Sequence, residues 1–169
     1  MKSFLIIGMG RFGHYLCKEL ANLGNEIMAV DEEEECLTHC LPLVTSAKIG
    51  DCTQPEVLEE LGINNFDICF VCIGTNFQSS LEITSLLKEM GASYVISRAS
   101  TDVQAKFLLR NGADEVVYPE KQLAAWTATR CSSEHILDYV ELDKDYSIIE
   151  LSIPSDWNGK TIIQLDIRK

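Results

Sequence analysis

The residues best suited to binding chemistry form a glycine-rich run near the amino terminus, Gly8-Met9-Gly10-Arg11-Phe12-Gly13. The run fits the pattern G-x-G-x-x-G, in which Gly8 makes a turn, Gly10 lets a phosphate approach the backbone and Gly13 lets a helix pack closely. An apolar segment precedes it and an amphipathic segment follows, so the free N–H groups of a helix start would face an anion. The pattern therefore predicts a nucleotide-phosphate site in this run, here called the glycine turn.

Two charged residues narrow the chemistry of the glycine turn. Asp31 lies 18 residues after Gly13, at the predicted end of the second strand, where a carboxylate can accept hydrogen bonds from both ribose hydroxyls. Its charge would repel a ribose 2′-phosphate, which disfavours NADP. Arg11 stands where a dehydrogenase usually has a small or apolar residue, and its donors could reach a terminal phosphate or a neighbouring subunit's ligand. Arg11 therefore hints at a mononucleoside polyphosphate.

Further residues follow other predicted strands, and open α/β sheets bind ligands at the carboxyl ends of their strands. Asp51 could accept a hydrogen bond from the adenine amino group, and Gly74 would permit close approach of the ligand. Arg98, just past the fifth strand, either adds a cation to the same crevice or lies on the surface. The loops that complete the predicted crevice are Asp51-Cys52, Gly74-Thr75-Asn76 and Tyr118-Pro119-Glu120.

An α/β fold is needed to bring these loops to one edge. Short apolar segments alternate with amphipathic, helix-length segments, which indicates βαβ units in a parallel sheet. We predict a Rossmann-like, doubly wound parallel six-stranded sheet followed by C-terminal crossover helices. Thr53 is predicted to cap the third helix, with Glu56 reaching back. Glycines end four helical segments, at Gly24, Gly62, Gly91 and Gly112, and the predicted strands are residues 3–7, 26–30, 47–49, 68–73, 94–97 and 115–118.

The pattern changes after Glu120. Residues 121–139 are predicted to be mostly helical, with a break at residues 131–133, where Ser132 or Ser133 could cap a second helix through His135, Ile136 and Leu137. A strand is predicted at residues 146–153 and the start of another helix at residues 161–165.

These elements predict two domains. Residues 1–139 would form the nucleotide-binding domain, including the crossover helix. A strand and half a helix cannot bury a core alone, so residues 140–169 are expected to begin a truncated second lobe.

Composition excludes several classes of protein. A formal net charge of −12 argues against nucleic acid as a partner, because nucleic-acid-binding proteins normally present a basic face. No apolar segment approaches the roughly 20 residues of a membrane span. The first residues lead directly into the glycine turn without a cleavable signal peptide. We therefore expect a cytoplasmic protein.

The seven cysteines cannot all pair, and reduced thiols suit a cytoplasmic setting. Cys69 and Cys72 have C-x-x-C spacing, but they fall in an apolar strand, where residues three apart point to opposite faces. Redox chemistry is therefore not expected there. Cys36, His39 and Cys40 share one face of a predicted helix, but three ligands without a fourth make a weak zinc pattern.

Six short motifs resemble, in chain order, those of RCK (KTN) domains. These domains form the cytosolic regulatory subunits of Trk and Ktr potassium-uptake systems and of related potassium channels. The resemblance runs from residue 1 to about residue 139, and residues 146–168 resemble the opening of the family's C-terminal ligand-binding lobe. The matching motifs are residues 6–13, Ala29-Val30-Asp31, Gly50-Asp51-Cys52-Thr53, Ile73-Gly74-Thr75-Asn76, Gly112-Ala113-Asp114 and Tyr118-Pro119-Glu120-Lys121.

The resemblance implies a ligand, an assembly and a partner. It implies subunits that dimerise into rings docked at the inner face of the membrane on a potassium channel or transporter subunit, whose gating follows the bound nucleotide. In family members the arginine matching Arg11 approaches the γ-phosphate, and the glutamate matching Glu120 helps to bind a cation between subunits. Cys52 stands where the family often has alanine, which should alter packing around adenine. ATP, ADP or NAD(H) would bind at residues 8–13, Asp31, Asp51, Cys52, Gly74 and Arg98.

Two other functions stand beside the nucleotide sensor. An NAD-dependent oxidoreductase would need a substrate region and an acid, base or metal beside the nicotinamide. His14, His39 and His135 have no evident catalytic context, so we expect a protein that is not an enzyme. A purely structural assembly module would bind no nucleotide.

Overall fold

The computed structural model describes residues 1–132, 136–141 and 146–167. The chain divides into two compact units, Met1–Pro119 and Glu120–Lys169. Among the described residues, no helix has both the length and the apolar character needed to cross a membrane.

The first unit is built on a six-stranded parallel sheet with the strand order β3-β2-β1-β4-β5-β6. The chain runs outward from β1 to one edge, returns to the centre and runs outward to the other edge. This order confirms the predicted doubly wound fold and places the switch point between β1 and β4. The strands are β1 Ser3–Ile7, β2 Glu26–Asp31, β3 Ser46–Ile49, β4 Ile68–Val71, β5 Val95–Arg98 and β6 Glu115–Val117.

Apolar layers cover both faces of this sheet, because successive side chains of a strand point to opposite faces. On β1, Leu5 and Ile7 pack into one layer with Leu58, Ile83 and Leu87. The alternate side chains, Phe4 and Ile6, pack into the other layer with Cys17, Ile27, Leu37 and Phe70. A sheet buried on both faces needs helices on both sides, here α1 Arg11–Asn22, α2 Glu34–Thr38, α3 Pro55–Leu61, α4 Phe77–Glu89 and α5 Asp102–Arg110.

The four glycines predicted to end helices all have positive φ, between 67° and 110°. The prediction that Thr53 caps α3 is wrong. The N-cap is Gln54, which makes no side-chain hydrogen bond, and Pro55 opens the helix. The Thr53 hydroxyl instead donates to Asp51 Oδ1 at 2.7 Å, so it is turned away from the helix toward the preceding loop.

The second unit contains most of helix α6, Pro119–Cys131, and an antiparallel hairpin of β7 Ile136–Glu141 and β8 Ser147–Leu151. The strand predicted at residues 146–153 is therefore confirmed. The helix predicted through Ile136 and Leu137 is wrong, because these apolar residues form β7 and pair with β8. Ser133 and His135, also assigned to that helix, lie outside the described residues.

The helix predicted to start at residues 161–165 is a turn. Its chain closes one α-type hydrogen bond, from Leu165 N to Thr161 O at 3.1 Å. Within the same unit, Trp126 Nε1 donates to Asp138 Oδ1 at 3.3 Å, and the Arg130 guanidinium lies 5.2 Å from the Trp126 ring centroid.

Candidate functional site

The glycine turn connects β1 to α1, and glycine suits each of its three positions for a different physical reason. Gly8 has φ +92°, which favours glycine, and its N–H donates to Val30 O at 2.9 Å. A Cβ on Gly13 would overlap the Gly8 carbonyl oxygen, so α1 packs against the turn only with glycine there. Gly10 has an ordinary φ of −62°, and a Cβ on it would meet no atom within 4 Å. The geometry at Gly10 thus leaves room beside the backbone that an alanine would reduce.

The start of α1 differs from the starts of the other helices in the first unit. Its N-cap, Gly10, makes no side-chain hydrogen bond, and its first turn holds no acidic residue. The first N–H groups of a helix have no partner within the helix and carry its positive dipole end. Within residues 1–132, which are described without a gap, α1 is the one helix of α1–α5 without either compensation: α4 and α5 are capped by Asn76 and Thr101, and α2 and α3 carry glutamates.

Asp31, the last residue of β2, holds the glycine turn directly. Its Oδ2 accepts a hydrogen bond from Met9 N at 2.6 Å, and its Oδ1 accepts one from Glu33 N at 2.9 Å. The carboxylate predicted to bind ribose therefore also fixes the backbone of the turn. The sequence motif did not indicate this role of Met9, because any residue at that position offers the same N–H.

Asp51 and Cys52 lie in the loop between β3 and α3. Asp51 Oδ1 accepts hydrogen bonds from Thr53 N at 2.9 Å and from the Thr53 hydroxyl, and these bonds hold the pKa of Asp51 below its ordinary value. The side chain is exposed, so the loop presents a charged carboxylate. Cys52 is buried in the core layer that contains Leu5 and Leu58, and burial raises the pKa of its thiol to about 12.

The remaining predicted residues of the first unit lie at the same edge of the sheet. Asn76 caps α4, because its Oδ1 accepts a hydrogen bond from Ser79 N at 3.2 Å. Arg98 was predicted to lie just past the fifth strand, but β5 ends one residue later than predicted and Arg98 is its last residue. Its guanidinium packs against Gly74. Arg11 is exposed at the start of α1, and Phe12 is half-buried against the core layer that contains Phe4.

The structure thus brings two clusters together at this edge: the glycine turn with Asp31, and Gly74 with Arg98. Both clusters flank the carboxyl end of β4. Gly74 follows that strand closely in the chain, and Ile73 N lies 3.2 Å from the position that a Cβ on Gly8 would take. Glu120 belongs to the second unit.

No group of three or more His, Cys, Asp or Glu side chains among the described residues is arranged to hold a metal ion. Cys36, His39 and Cys40, predicted to share one face of a helix, are only partly helical, because α2 ends at Thr38 and His39 is its C-cap. The buried Cys40 thiol donates to Leu37 O at 3.1 Å, the Cys36 thiol donates to Glu33 Oε2 at 3.7 Å, and His39 is exposed.

All seven cysteines are unpaired. Cys69 lies on β4, and Cys72 follows that strand directly; both are buried, and burial raises the pKa of each thiol to about 12. Since only the thiolate reacts at a useful rate, burial disfavours redox chemistry at this C-x-x-C pair in the folded state.

Cys131 is therefore expected to react first with a thiol reagent, because it is exposed on α6. A thiol pKa near 12 lowers the thiolate fraction roughly a thousandfold, so Cys69 and Cys72 should be modified only after unfolding. Timed maleimide labelling followed by mass spectrometry measures the order. Cys131→Ser should remove the fast phase, and rapid labelling of Cys72 in the folded protein would contradict the expectation.

Comparison with known proteins places this geometry in a wider context. The family model described as the TrkA-N domain matches residues 4–119. The chain is 40% identical over 167 residues to the Ktr system potassium uptake protein C of Bacillus subtilis (strain 168), and this match covers 99% of the chain and 76% of that protein. It is 39% identical to the Ktr system potassium uptake protein A of the same organism, with 99% and 75% covered.

Solved structures share the fold at low sequence identity. The GsuK channel bound to NAD superposes with a TM-score of 0.67 at 16% identity, over 76% of this chain and 23% of that one. GsuK bound to ADP superposes with a TM-score of 0.67 at 16% identity, over 79% of this chain and 35% of that one.

Proposed function

The chain belongs to the TrkA-N domain family, and we propose that it is a nucleotide-binding regulatory subunit that gates a potassium-uptake channel or transporter. The bound nucleotide is ATP, ADP or NAD(H). Two relatives that match nearly the whole chain are named as potassium uptake proteins of Ktr systems. Two structures with the same fold are described as bound to NAD and to ADP.

The observation that carries this proposal is the start of α1. A twelve-residue helix points its N-terminus at a glycine turn, without a capping side chain or an acidic residue in its first turn. Such a helix end attracts an anion, and a phosphate satisfies the free N–H groups. Asp31 lies beside the same turn, 2.6 Å from Met9 N, so one ligand that carries both phosphate and ribose fits the two features together.

Each residue then has a role in nucleotide binding. Gly10 leaves room for the first phosphate, and Arg11 reaches a terminal phosphate. Asp31 accepts hydrogen bonds from ribose, and its charge disfavours a 2′-phosphate. Asp51 accepts a hydrogen bond from the adenine amino group, and Cys52 packs near the base. The full proposed set is Gly8, Gly10, Arg11, Phe12, Gly13, Asp31, Asp51, Cys52, Gly74, Asn76 and Arg98.

Gating follows from differential binding. A nucleotide shifts a conformational equilibrium only by as much as it prefers one state over the other. ATP and ADP differ by one phosphate, so a residue that contacts only the last phosphate can make them prefer different states. Arg11, exposed within the glycine turn, is our candidate for that residue.

The proposed assembly is a homodimer that forms rings on a membrane potassium channel or transporter subunit, at the cytoplasmic face of the membrane. Glu120 is proposed to help bind a cation where subunits meet. A second subunit is proposed to supply further donors to this cation. Residues 1–139 are proposed as the nucleotide-binding domain and residues 140–169 as the beginning of a second lobe. Ile148, Ile149 and Leu151 on β8 remain exposed by 45 to 58%, which suits a hairpin that needs further cover.

The alternative function is an NAD-dependent oxidoreductase. Hydride transfer needs an acid, base or metal beside the nicotinamide. His39 is exposed at the end of α2, and His14 is half-buried on α1. His135 lies outside the described residues. We propose that the protein is not an enzyme. Turnover of NADH with small carbonyl substrates would favour the alternative.

Calorimetric titration with ATP, ADP and NADH tests the proposed function. ATP is expected to bind with a measurable Kd, and 2′-deoxy-ATP to bind about tenfold more weakly, since it lacks one ribose hydroxyl that can donate a hydrogen bond to Asp31. Asp31→Asn should remove this difference between the two ligands. Absence of binding by any adenine nucleotide at millimolar concentration would overturn the proposal.

A further inference from the structure

The backbone conformation at Gly74 does not require a glycine. The glycines with positive φ are Gly8, Gly24, Gly62, Gly91, Gly112 and Gly159, and Gly74 is not among them. Any residue can adopt its backbone conformation. What glycine provides at this position is therefore space.

A guanidinium group fills that space. A Cβ built on Gly74 would overlap Arg98 Nη1 and lie 2.9 Å from Cζ and 3.5 Å from Nη2. These three atoms belong to the planar end of the side chain, so an alanine would displace the charged head of Arg98. Arg98 is half-buried at the end of β5, so an alanine at Gly74 would force the guanidinium off this seat and out of its present packing.

Gly74, against which the guanidinium packs, is next in the chain to a residue that contacts the glycine turn. Gly74 follows Ile73, whose N and Cγ1 lie 3.2 Å and 3.1 Å from the Cβ position of Gly8. The Arg98 charge also acts on the buried Cys72 thiol, where it opposes the pKa increase that burial causes. Arg98 and the start of α1 thus face the end of β4 from its two sides.

We infer that Gly74 is a positioning residue, which seats the Arg98 guanidinium beside the glycine turn so that it binds the phosphates beyond the one held by α1. This inference rests on the proposed nucleotide binding. It gives Gly74 a role different from direct approach of the ligand, because the space beside its Cα holds a side chain. A planar fork of donors suits two phosphate oxygens at once.

A double-mutant cycle without ligand tests the seat itself. Gly74→Ala should lower the melting temperature, because its Cβ overlaps Arg98. Gly74→Ala/Arg98→Ala should recover most of that loss relative to Arg98→Ala alone, since the overlapping atoms are gone. Additive losses in melting temperature would overturn the inference, whether or not a nucleotide binds.

A cycle with ligands tests the function of the seat. Calorimetry measures the affinities for ATP and for AMP of four proteins: the wild-type chain, Gly74→Ala, Arg98→Ala and the double variant. Each single variant should lower the ATP-to-AMP affinity ratio by roughly tenfold, the effect of losing a charge-assisted contact. The double variant should lose no more than Arg98→Ala, because coupled residues do not add.

Gly24→Ala is the matched control, because it changes a glycine at the far end of α1 and should leave the ratio unchanged. The inference would be overturned if the double variant lost the product of the two single-variant losses in the ATP-to-AMP affinity ratio. It would also be overturned if Gly74→Ala left that ratio unchanged. Failure of the wild-type chain to bind either nucleotide would instead overturn the proposed function.

Discussion

Gly10→Ala is expected to lower the affinity for ATP by about a hundredfold, close to 2.7 kcal/mol, while the fold survives. A Cβ at this position meets no protein atom within 4 Å, and the backbone there suits any residue. The added methyl group would occupy the space beside the first N–H groups of α1, where a phosphate must approach. Stability should fall by only about 0.5 to 1 kcal/mol, because alanine is a poorer N-cap than glycine.

Calorimetric titration with ATP and a thermal melt of the same sample measure both effects. Gly24→Ala gives the reverse pattern as a control. Its φ of +76° strains an alanine, so its melting temperature should fall while its affinity for ATP holds. If Gly10→Ala binds ATP as well as the wild-type chain does, the phosphate does not lie against this turn.

Gly13→Ala is expected to destabilise the first unit by about 3 kcal/mol, at the upper end of the cost of overpacking. Its Cβ would overlap the Gly8 carbonyl oxygen and lie 3.1 Å from the Gly8 carbonyl carbon and 3.4 Å from Cys72 Cβ. These atoms belong to backbone and to a buried strand end, so none of them can move cheaply. Helix α1 would have to shift away from the sheet.

Chemical denaturation followed by circular dichroism measures this loss of unfolding free energy. In a separate thermal melt, the melting temperature should fall by about 10 °C. Gly10→Ala is the matched control, since it makes the same substitution three residues earlier in the same turn. A loss in Gly13→Ala no larger than in Gly10→Ala would mean that α1 does not pack as closely on the turn as described.

The sequence predicted the architecture of the first unit because two strong signals agreed. Apolar runs separated by amphipathic segments defined six strands, and their parallel order followed from the connections. Glycines such as Gly62, with φ +67°, marked helix ends because left-handed residues are costly for other side chains. Every strand end of the first unit was accurate within two residues, and the largest error was at β4, which ends at Val71 rather than at residue 73.

The second unit was less predictable because its local signals were ambiguous. Ile136 and Leu137 have a pattern that suits helix or strand, and pairing with the later strand β8 decides between them. Such pairing depends on residues distant in sequence, which periodicity does not report. The capping role of Thr53 failed for a related reason, since the Asp51 carboxylate orients the Thr53 hydroxyl by accepting its hydrogen bond and Gln54 is the N-cap of α3.

In the candidate site, the sequence indicated which residues gather at one edge but not how they contact one another. A motif assigns Gly74 to the ligand because glycines permit close approach, while the packing of Arg98 against it depends on side-chain geometry. Likewise, the hydrogen bond from Met9 to Asp31 involves a backbone group that every residue has. These contacts needed three-dimensional coordinates.

The carboxylate of Asp31 has room for a ligand without giving up its present bonds. A carboxylate offers roughly four lone pairs, and the N–H groups of Met9 and Glu33 use one on each oxygen. One lone pair per oxygen therefore remains for the two hydroxyls of a ribose. A bound nucleotide would complete the acceptor capacity of Asp31 and restrain the Met9 amide further, so hydrogen exchange at that amide should slow when the nucleotide binds.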